Sequence, residues 1–162
     1  MIDKLFEIVN NVKDPEIPTI SVVELGVVRN IELDGKEVCV TITPTYSGCP
    51  ALDVMKNDII SELNKNGFKE VKVVTQLSPA WTTDWLTEEA KKKLVQSKIA
   101  PPVMKSNEYS SLLNVLDDSP PVECPYCNSM NTRLIAEFGT TACKALYSCN
   151  TCFQPFDYFK PH

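Results

Sequence analysis

Two pairs of cysteines have the spacing of metal ligands. Cys124 and Cys127 form one Cys-x-x-Cys pair, Cys149 and Cys152 form another, and 21 residues separate the two pairs. This pattern is typical of a four-cysteine zinc ribbon, in which each pair occupies a tight turn and donates two thiolates to one tetrahedral ion. The same thiolates can hold a single iron ion, and the sequence alone does not distinguish the metals. We expect one structural zinc ion per chain, because closed four-thiolate zinc sites are common.

A fifth cysteine, Cys49, stands alone where the most strand-like stretch of the chain meets its best amphipathic helix. Pro50 suits the first helical position, since the N–H that proline lacks has no partner there. Cys49 is then expected to be the N-cap, where unpaired backbone N–H groups and the helix dipole lower the pKa of a thiol and make it reactive. The alternative is that Cys49 is a small buried hydrophobic residue, as most free cysteines are.

The composition excludes several classes of function. The 162 residues carry a net charge of −5 and no basic stripe that could meet phosphate backbones, so we expect no nucleic-acid partner. No stretch approaches the roughly 18 apolar residues of a membrane span, and the amino terminus lacks an apolar signal core. We therefore expect a cytoplasmic protein without a membrane partner. Seven cysteines in a reducing compartment indicate metal sites or reactive thiols rather than disulfides.

The hydrophobic pattern predicts a small α+β or α/β domain that positions Cys49. Apolar residues recur at helical or alternating spacing in six consecutive segments. These are a helix at 2–12, strands at 27–33 and 36–43 joined by a tight turn, a helix at 50–65, a strand at 70–77 and a helix from about residue 87. The order α-β-β-α-β-α gives a small mixed sheet with flanking helices. Because a strand–helix–strand crossover is right-handed and parallel, Cys49 is expected at the carboxyl end of the second strand, where open α/β sheets bind ligands.

Changes in composition predict two domains. Residues 1–102 form the α/β domain, 103–121 a polar linker with room for a docking segment, and 122–162 the zinc ribbon, with a hairpin expected from 132–138 and 144–148. In the first domain Trp81 and Trp85 are four residues apart, either packed over the sheet or offered to a partner. Cys39 and Cys143 are expected to pack in the interior, although the strand position of Cys39 also allows a role near Cys49.

Several motifs resemble a known family. The segments DPEIP at 14–18, ELG at 24–26 and TPTYSGCP at 43–50 resemble the metal-sulfur cluster biosynthetic (SufT-like) domain family over residues 1 to about 100. Segments at 81–102, 138–147 and 155–160 extend the resemblance over nearly the whole chain to the PaaD family, the D subunits of bacterial phenylacetyl-CoA epoxidase. The resemblance implies that the polar residues of a reactive or metal-transfer site are Asp14, Glu16, Thr45 and Cys49.

The same resemblance implies an accessory protein in aerobic phenylacetate degradation rather than an enzyme, so we assign no catalytic residue. The epoxidase is a multicomponent oxygenase with a di-iron catalytic subunit and a reductase that carries flavin and an iron-sulfur cluster. The expected partners are these subunits, and the expected role is maturation or assembly of their metal centres. Two alternatives stay open: a general iron-sulfur cluster carrier, and a redox carrier that uses iron in the ribbon. A transiently bound iron ion or iron-sulfur cluster and a homodimer are both compatible with the sequence.

Overall fold

A computed structural model describes residues 1–103 and 121–161. These residues divide into two compact units, Met1–Lys93 and Leu94–Pro161. The predicted linker at 103–121 lies almost entirely outside the described residues, and the domain boundary at residue 102 stays a prediction. Among the described residues, no helix is both long and apolar enough to cross a membrane.

The first unit is built on a three-stranded sheet in the order β1-β2-β3. Strands β1 and β2 are antiparallel, whereas β2 and β3 are parallel and joined by helix α2, which confirms the predicted mixed sheet and its crossover. The elements of this part of the chain are α1 (Ile2–Val9), β1 (Val28–Asp34), β2 (Glu37–Ile42), α2 (Leu52–Lys65), β3 (Glu70–Thr75) and α3 (Glu88–Gln96). The division between the two units falls within α3, after Lys93.

Alternation along β2 separates an apolar face of the sheet from a polar one, as predicted. Val38, Val40 and Ile42 are fully buried, while Cys39 and Thr41 on the opposite face are only partly covered. The buried face belongs to the core that the sheet shares with α1 and α2. The buried residues of these two helices are Leu5, Ile8, Val9, Met55, Ile59 and Leu63.

The predicted start of the second helix is wrong by two residues. Helix α2 begins at Leu52 with Ala51 as its N-cap, and its first turn is closed by the N–H of Met55, which donates to the Ala51 carbonyl at 2.9 Å. Cys49 belongs instead to the preceding turn, where its carbonyl accepts from the Leu52 N–H at 3.1 Å. Cys49 is therefore not the N-cap, and the helix dipole acts on it from a greater distance than expected.

The two tryptophans have different surroundings. Trp81 is buried, and its Nε1–H donates to the Leu25 carbonyl at 3.0 Å. Trp85 is partly exposed and ends a short 3₁₀ turn, with the Arg29 guanidinium 3.5 Å from the centre of its ring. For Trp81 the packed alternative is therefore confirmed, and the pair does not form a single exposed surface.

The second unit is a four-stranded sheet in the order β4-β7-β6-β5. It confirms the predicted hairpin, which β5 (Thr132–Ala136) and β6 (Lys144–Cys149) form. Two further strands were not predicted: β7 (Pro155–Phe159), antiparallel to β6, and β4 (Ile99–Ala100), parallel to β7. The sheet supports a small apolar core in which the Tyr147 ring stacks on Phe156 at 6.0 Å and meets Tyr158 edge-on at 5.4 Å. The ribbon therefore has more of a hydrophobic core than its length suggested.

Candidate metal centre and thiol site

The fold brings the four predicted metal ligands together. The sulfur atoms of Cys124, Cys127, Cys149 and Cys152 all lie within 4.8 Å of one another, and among the described residues no other group of three or more Cys, His, Asp or Glu has this arrangement. Two of the sulfur pairs are 3.7 and 3.6 Å apart. A tetrahedral zinc ion with Zn–S bonds of about 2.3 Å requires sulfurs about 3.8 Å apart. Two sulfur pairs match this distance and all four sulfurs lie within 4.8 Å, so the four side chains can surround one tetrahedral metal ion.

Two turns of matching geometry present these cysteines. In the first, the N–H of Asn128 donates to the Cys124 carbonyl at 2.9 Å, and in the second the N–H of Phe153 donates to the Cys149 carbonyl at 3.0 Å. Asn128 and Phe153 each follow the second cysteine of their pair, and each has a φ of 62°. This left-handed residue turns the chain back so that both cysteines of a pair face the same point.

The pKa values of the Cys127 and Cys149 thiols are far apart. The N–H groups of Cys152 and Thr151 point at Cys149 and, together with neighbouring thiols, lower its pKa to about 6 in spite of burial. At Cys127 a hydrogen bond from the Ser129 backbone is outweighed by burial and by the other three thiols, which raise its pKa to about 12. One thiolate therefore forms readily at neutral pH, but four adjacent thiolates require a cation to balance their charge.

Cys143 belongs to the same unit but is not part of the metal group. It is buried, and its sulfur lies 3.1 Å from the Thr141 hydroxyl in the loop between β5 and β6. The interpretation of Cys143 as a packed residue is consistent with this position.

The surroundings of Cys49 overturn the expected reactivity of its thiol. Its exposed fraction is 7%, and burial raises its pKa. Hydrogen bonds from the Ala51 N–H and the Tyr46 hydroxyl act in the opposite direction, but the negative charges of Glu16 and Asp14 raise the pKa further. The predicted lowering of the pKa is therefore wrong, because the sequence showed the helix start but not how deeply the turn is buried.

Among the described residues, the side chains of Asp14, Glu16 and Cys49 do not form a group of metal ligands like that of the ribbon. Asp14 and Glu16 both act electrostatically on Cys49. Asp14 also has a structural role, since its buried Oδ1 accepts from the backbone N–H groups of Glu16 and Ile17, each at 2.8 Å. Thr45 is half-buried in the same turn as Cys49, and its function remains a prediction.

The sequence analysis assigned no role to two residues that the structure shows in specific contacts. Tyr46, three positions before Cys49, supplies the hydroxyl that hydrogen-bonds to its sulfur. The Glu24 carboxylate accepts from the nearby Ser21 N–H at 2.8 Å and from Lys93 at 2.5 Å, and the Glu24 carbonyl accepts from the Thr87 N–H at 3.1 Å. The position of Tyr46 in the turn was a usable signal, whereas Thr87 and Lys93 are too distant in sequence from Glu24 to be inferred as its partners.

The chemical state of Cys49 can be tested by alkylation. Because the pKa of Cys49 is raised, we expect iodoacetamide to modify it more slowly at pH 7 than the more exposed Cys39, with a rate that still increases above pH about 8.5, the usual cysteine pKa. The measurement is the modified fraction of each cysteine by peptide mass spectrometry across pH 6–10. The faster of the two labelling reactions should be absent in a Cys39→Ser variant, which assigns that reaction to Cys39. Faster labelling of Cys49 than of Cys39 at neutral pH would contradict the buried, protonated thiol.

Known protein families match both the first part of the chain and the ribbon. Residues 2–75 match the family of iron-sulfur cluster assembly proteins, and residues 110–160 match the PaaD zinc β-ribbon domain. A crystal structure of a DUF59 domain of unknown function from Bacillus anthracis has 28% sequence identity and a TM-score of 0.54, covering 57% of this chain and 90% of that one. An Fe-S protein maturation auxiliary factor from Porphyromonas gingivalis is 35% identical over 54% of this chain and 85% of its own length.

An iron-sulfur cluster assembly domain followed by a PaaD zinc β-ribbon defines the class of protein to which this chain belongs. Within that class, the putative D subunit of 1,2-phenylacetyl-CoA epoxidase from Escherichia coli K12 is 45% identical over 98% of this chain and 92% of its own length. The chain belongs to this family of D subunits. Its relatives support an accessory or maturation role.

Proposed function

We propose that this protein assists the maturation of the metal centres of a phenylacetyl-CoA epoxidase, with Cys49 as a transfer site for iron or an iron-sulfur cluster. The observation that carries the proposal is a buried cysteine, Cys49, under the electrostatic influence of two carboxylates in a domain of the iron-sulfur cluster assembly family. The E. coli relative, which is named as a component of the epoxidase, supports that oxygenase as the recipient.

The ligand set at Cys49 is suited to transient binding. Cys49 offers a cation one soft thiolate, and the carboxylates of Asp14 and Glu16 act on it electrostatically without forming a group of metal ligands with it, so a cation is not held tightly. The same carboxylates that oppose ionisation of the free thiol favour an incoming cation, and binding releases the thiol proton. The resting site is therefore protonated and protected, and it becomes a ligand only when the cargo arrives.

A nearby hydroxyl supports the proposal. Thr43 directly follows β2 and is 2% exposed, and among the described residues its Oγ1 has no hydrogen-bond partner. A buried hydroxyl without a protein partner is uncommon and is available to a water molecule or to a bound group. Thr43 begins the turn that holds Cys49, so the unpaired oxygen stands at the end of the sheet where the proposed cargo binds.

The ribbon has a different role in this proposal. Its four thiolates fill the coordination sphere of one ion, which suits a structural zinc ion rather than a transfer site. Zinc bound to thiolates is colourless, whereas ferric iron in the same site is red. A metal assay with a visible spectrum of the purified protein therefore tests the zinc assignment and, with it, the rival role as a redox carrier.

The proposed function is tested with the oxygenase itself. We expect the complex purified from cells that lack this protein to have less iron and a lower epoxidation rate, and to recover both when the wild-type protein is supplied with ferrous iron and sulfide. The Cys49→Ser variant should keep its fold and ribbon metal but fail to restore the oxygenase. Cys39→Ser, which removes a more exposed cysteine of the same domain, is the matched control and should restore it.

Two other results would identify a different function. If the oxygenase is fully metallated without this protein but turns over only in its presence, the protein is a working subunit or an electron carrier. If the oxygenase is fully metallated and fully active alone, the link to this oxygenase is wrong, and a general iron-sulfur carrier is the remaining interpretation.

A further inference from the structure

The side chain of Phe153 is unusual in both its exposure and its backbone conformation. Its exposed fraction is 80%, the highest among the large hydrophobic side chains of the described residues. Its φ of 62° places it in the left-handed region, which is rarely occupied by bulky residues. Phenylalanine is therefore costly at this position for two independent reasons: the strained backbone and the apolar ring in water.

The first turn of the ribbon shows that the fold does not require this residue. Asn128 occupies the equivalent position after Cys127, with the same φ of 62° and the matching hydrogen bond to the first cysteine of its pair. Asparagine tolerates the left-handed conformation far better than phenylalanine does. The aromatic ring at position 153 therefore serves something other than the turn.

Other exposed apolar side chains flank the same metal centre. Tyr126, next to Cys127, is 45% exposed, and Met130 is 52% exposed. Because the sulfurs of Cys127 and Cys152 lie within 4.8 Å of each other, the rings of Tyr126 and Phe153 are carried by adjoining turns. We refer to the two turns, residues 124–130 and 149–154, as the knuckle surface.

The knuckle surface is held rigid by contacts within the ribbon. The hydroxyls of Ser129 and Thr151 are 2.8 Å apart, and the Asn150 side chain donates to that of Asn131 at 3.0 Å, so hydrogen bonds link the two turns directly. Lys98 fixes the first turn, with its Nζ 5.2 Å from the centre of the Tyr126 ring. A rigid aromatic surface loses little conformational entropy on binding.

The charge of the knuckle surface selects the kind of partner. Residues 124–130 and 149–154 contain no charged side chain of their own; the cation of Lys98 lies against the first turn, where its Nζ donates to the Pro125 carbonyl at 3.3 Å. Four thiolates around a divalent cation add a net negative charge, which disfavours nucleic-acid phosphates and anionic lipid headgroups. The two turns thus expose aromatic residues and methionine but contain no lysine or glutamate. This composition is typical of the central part of a protein–protein interface.

From these observations we infer that the knuckle surface is a protein-docking site, with Phe153 as an anchor that inserts into an apolar pocket on a component of the oxygenase. This inference rests on the proposed function, because that proposal supplies the recipient. The ribbon then holds the oxygenase while Cys49 transfers its cargo. Burial of the ring in the complex removes the cost of exposing it to water and offsets the strained backbone.

A substitution that keeps the turn but removes the ring tests this inference. The Phe153→Asn variant copies the residue of the first turn, so we expect ribbon metal content unchanged and a melting temperature equal to or above that of the wild type. Its affinity for the oxygenase components, purified together from cells that lack this protein and titrated by biolayer interferometry, should fall at least about tenfold. Phe138→Asn is the matched control, because it removes a phenylalanine of the same unit that is 66% exposed but outside the knuckle surface. Its affinity should stay within about twofold of the wild type.

Three outcomes would overturn the inference. Unchanged affinity of Phe153→Asn would show that the ring is not an anchor, and loss of ribbon metal or of stability in this variant would show that the ring is structural. Self-association of the wild type through Phe153 without binding to the oxygenase would identify a second copy as the occupant. A failure of the proposed function is distinguished by a separate measurement: the oxygenase from cells that lack this protein would then contain its full amount of iron.

Discussion

A Cys149→Ser variant is expected to lose the ribbon metal and the ordered structure of residues 121–161, while residues 1–93 remain folded. Cys149 is fully buried, its sulfur lies 3.6 Å from that of Cys127, and it accepts hydrogen bonds from the N–H groups of Thr151 and Cys152 at 3.3 and 3.4 Å. Replacing its sulfur removes a thiol whose pKa is lowered to about 6, and which therefore readily supplies a thiolate to an incoming cation.

The magnitude of this effect follows from the size of the ribbon. Structural zinc contributes about 10–16 kcal/mol of apparent binding free energy in small zinc domains, which is as large as the total stability of about 5–15 kcal/mol of an ordinary domain. The apolar core does not replace the ion, because Cys124 and Cys149 are themselves members of that core. Losing the metal therefore removes both the cross-link and part of the packing.

Metal analysis together with hydrogen exchange measured by mass spectrometry checks this prediction. The expected result is less than one metal ion per chain and lost protection confined to residues 121–161. Cys143→Ser is the matched control, since Cys143 is a buried cysteine of the same unit outside the metal group, and it should keep the metal. Retention of metal and protection in Cys149→Ser would mean that the four cysteines are not a metal site.

The elements that the sequence predicted well are those specified by a local repeat. The alternation of Val38, Val40 and Ile42 indicated a strand with one buried face because neighbouring positions on a strand point to opposite sides. The Cys-x-x-Cys spacing indicated a metal site because each pair occupies one tight turn whatever the rest of the fold does.

The features that the sequence did not predict depend on partners distant along the chain. The strand at Ile99–Ala100 has two residues, too few for any periodic signal, and it exists because β7 pairs with it. The raised pKa of Cys49 results from tertiary burial and from charges more than 30 positions earlier in the chain. Trp81 is fixed by the Leu25 carbonyl, a contact that no local pattern encodes.

The second large effect is expected from a substitution at Gly26, which lies where two segments of the first unit that are distant in sequence come into contact. Its φ is 76°, and a Cβ at this position would lie 2.6 Å from the Trp85 carbonyl oxygen and 2.7 Å from the Trp85 Cβ. The adjacent residues anchor the same segment, through the Leu25 carbonyl to Trp81 and the Glu24 carboxylate to Lys93. The chain before β1 therefore packs directly against the segment that contains Trp81 and Trp85, and Gly26 leaves no room there for a side chain.

We expect Gly26→Ala to lower the free energy of unfolding by about 3 kcal/mol or more, since backbone strain and a clash with backbone atoms act together. Urea denaturation measures the loss. Gly35→Ala separates the backbone strain from the clash. Gly35 also has a positive φ, of 60°, but nothing lies within 4 Å of an added Cβ. This variant should therefore lower the free energy of unfolding by only about 1 kcal/mol. Equal losses in the two variants would mean that the contact with Trp85 contributes nothing.

The effect of Gly26→Ala should also reach the thiol site. The N–H of Thr43, at the start of the Cys49 turn, donates to the carbonyl of Val27 next to Gly26 at 2.8 Å, so a displaced backbone at Gly26 loosens the turn that buries the thiol. In Gly26→Ala, Cys49 should therefore be alkylated faster at pH 7 than in the wild type, whereas Gly35→Ala leaves its rate unchanged.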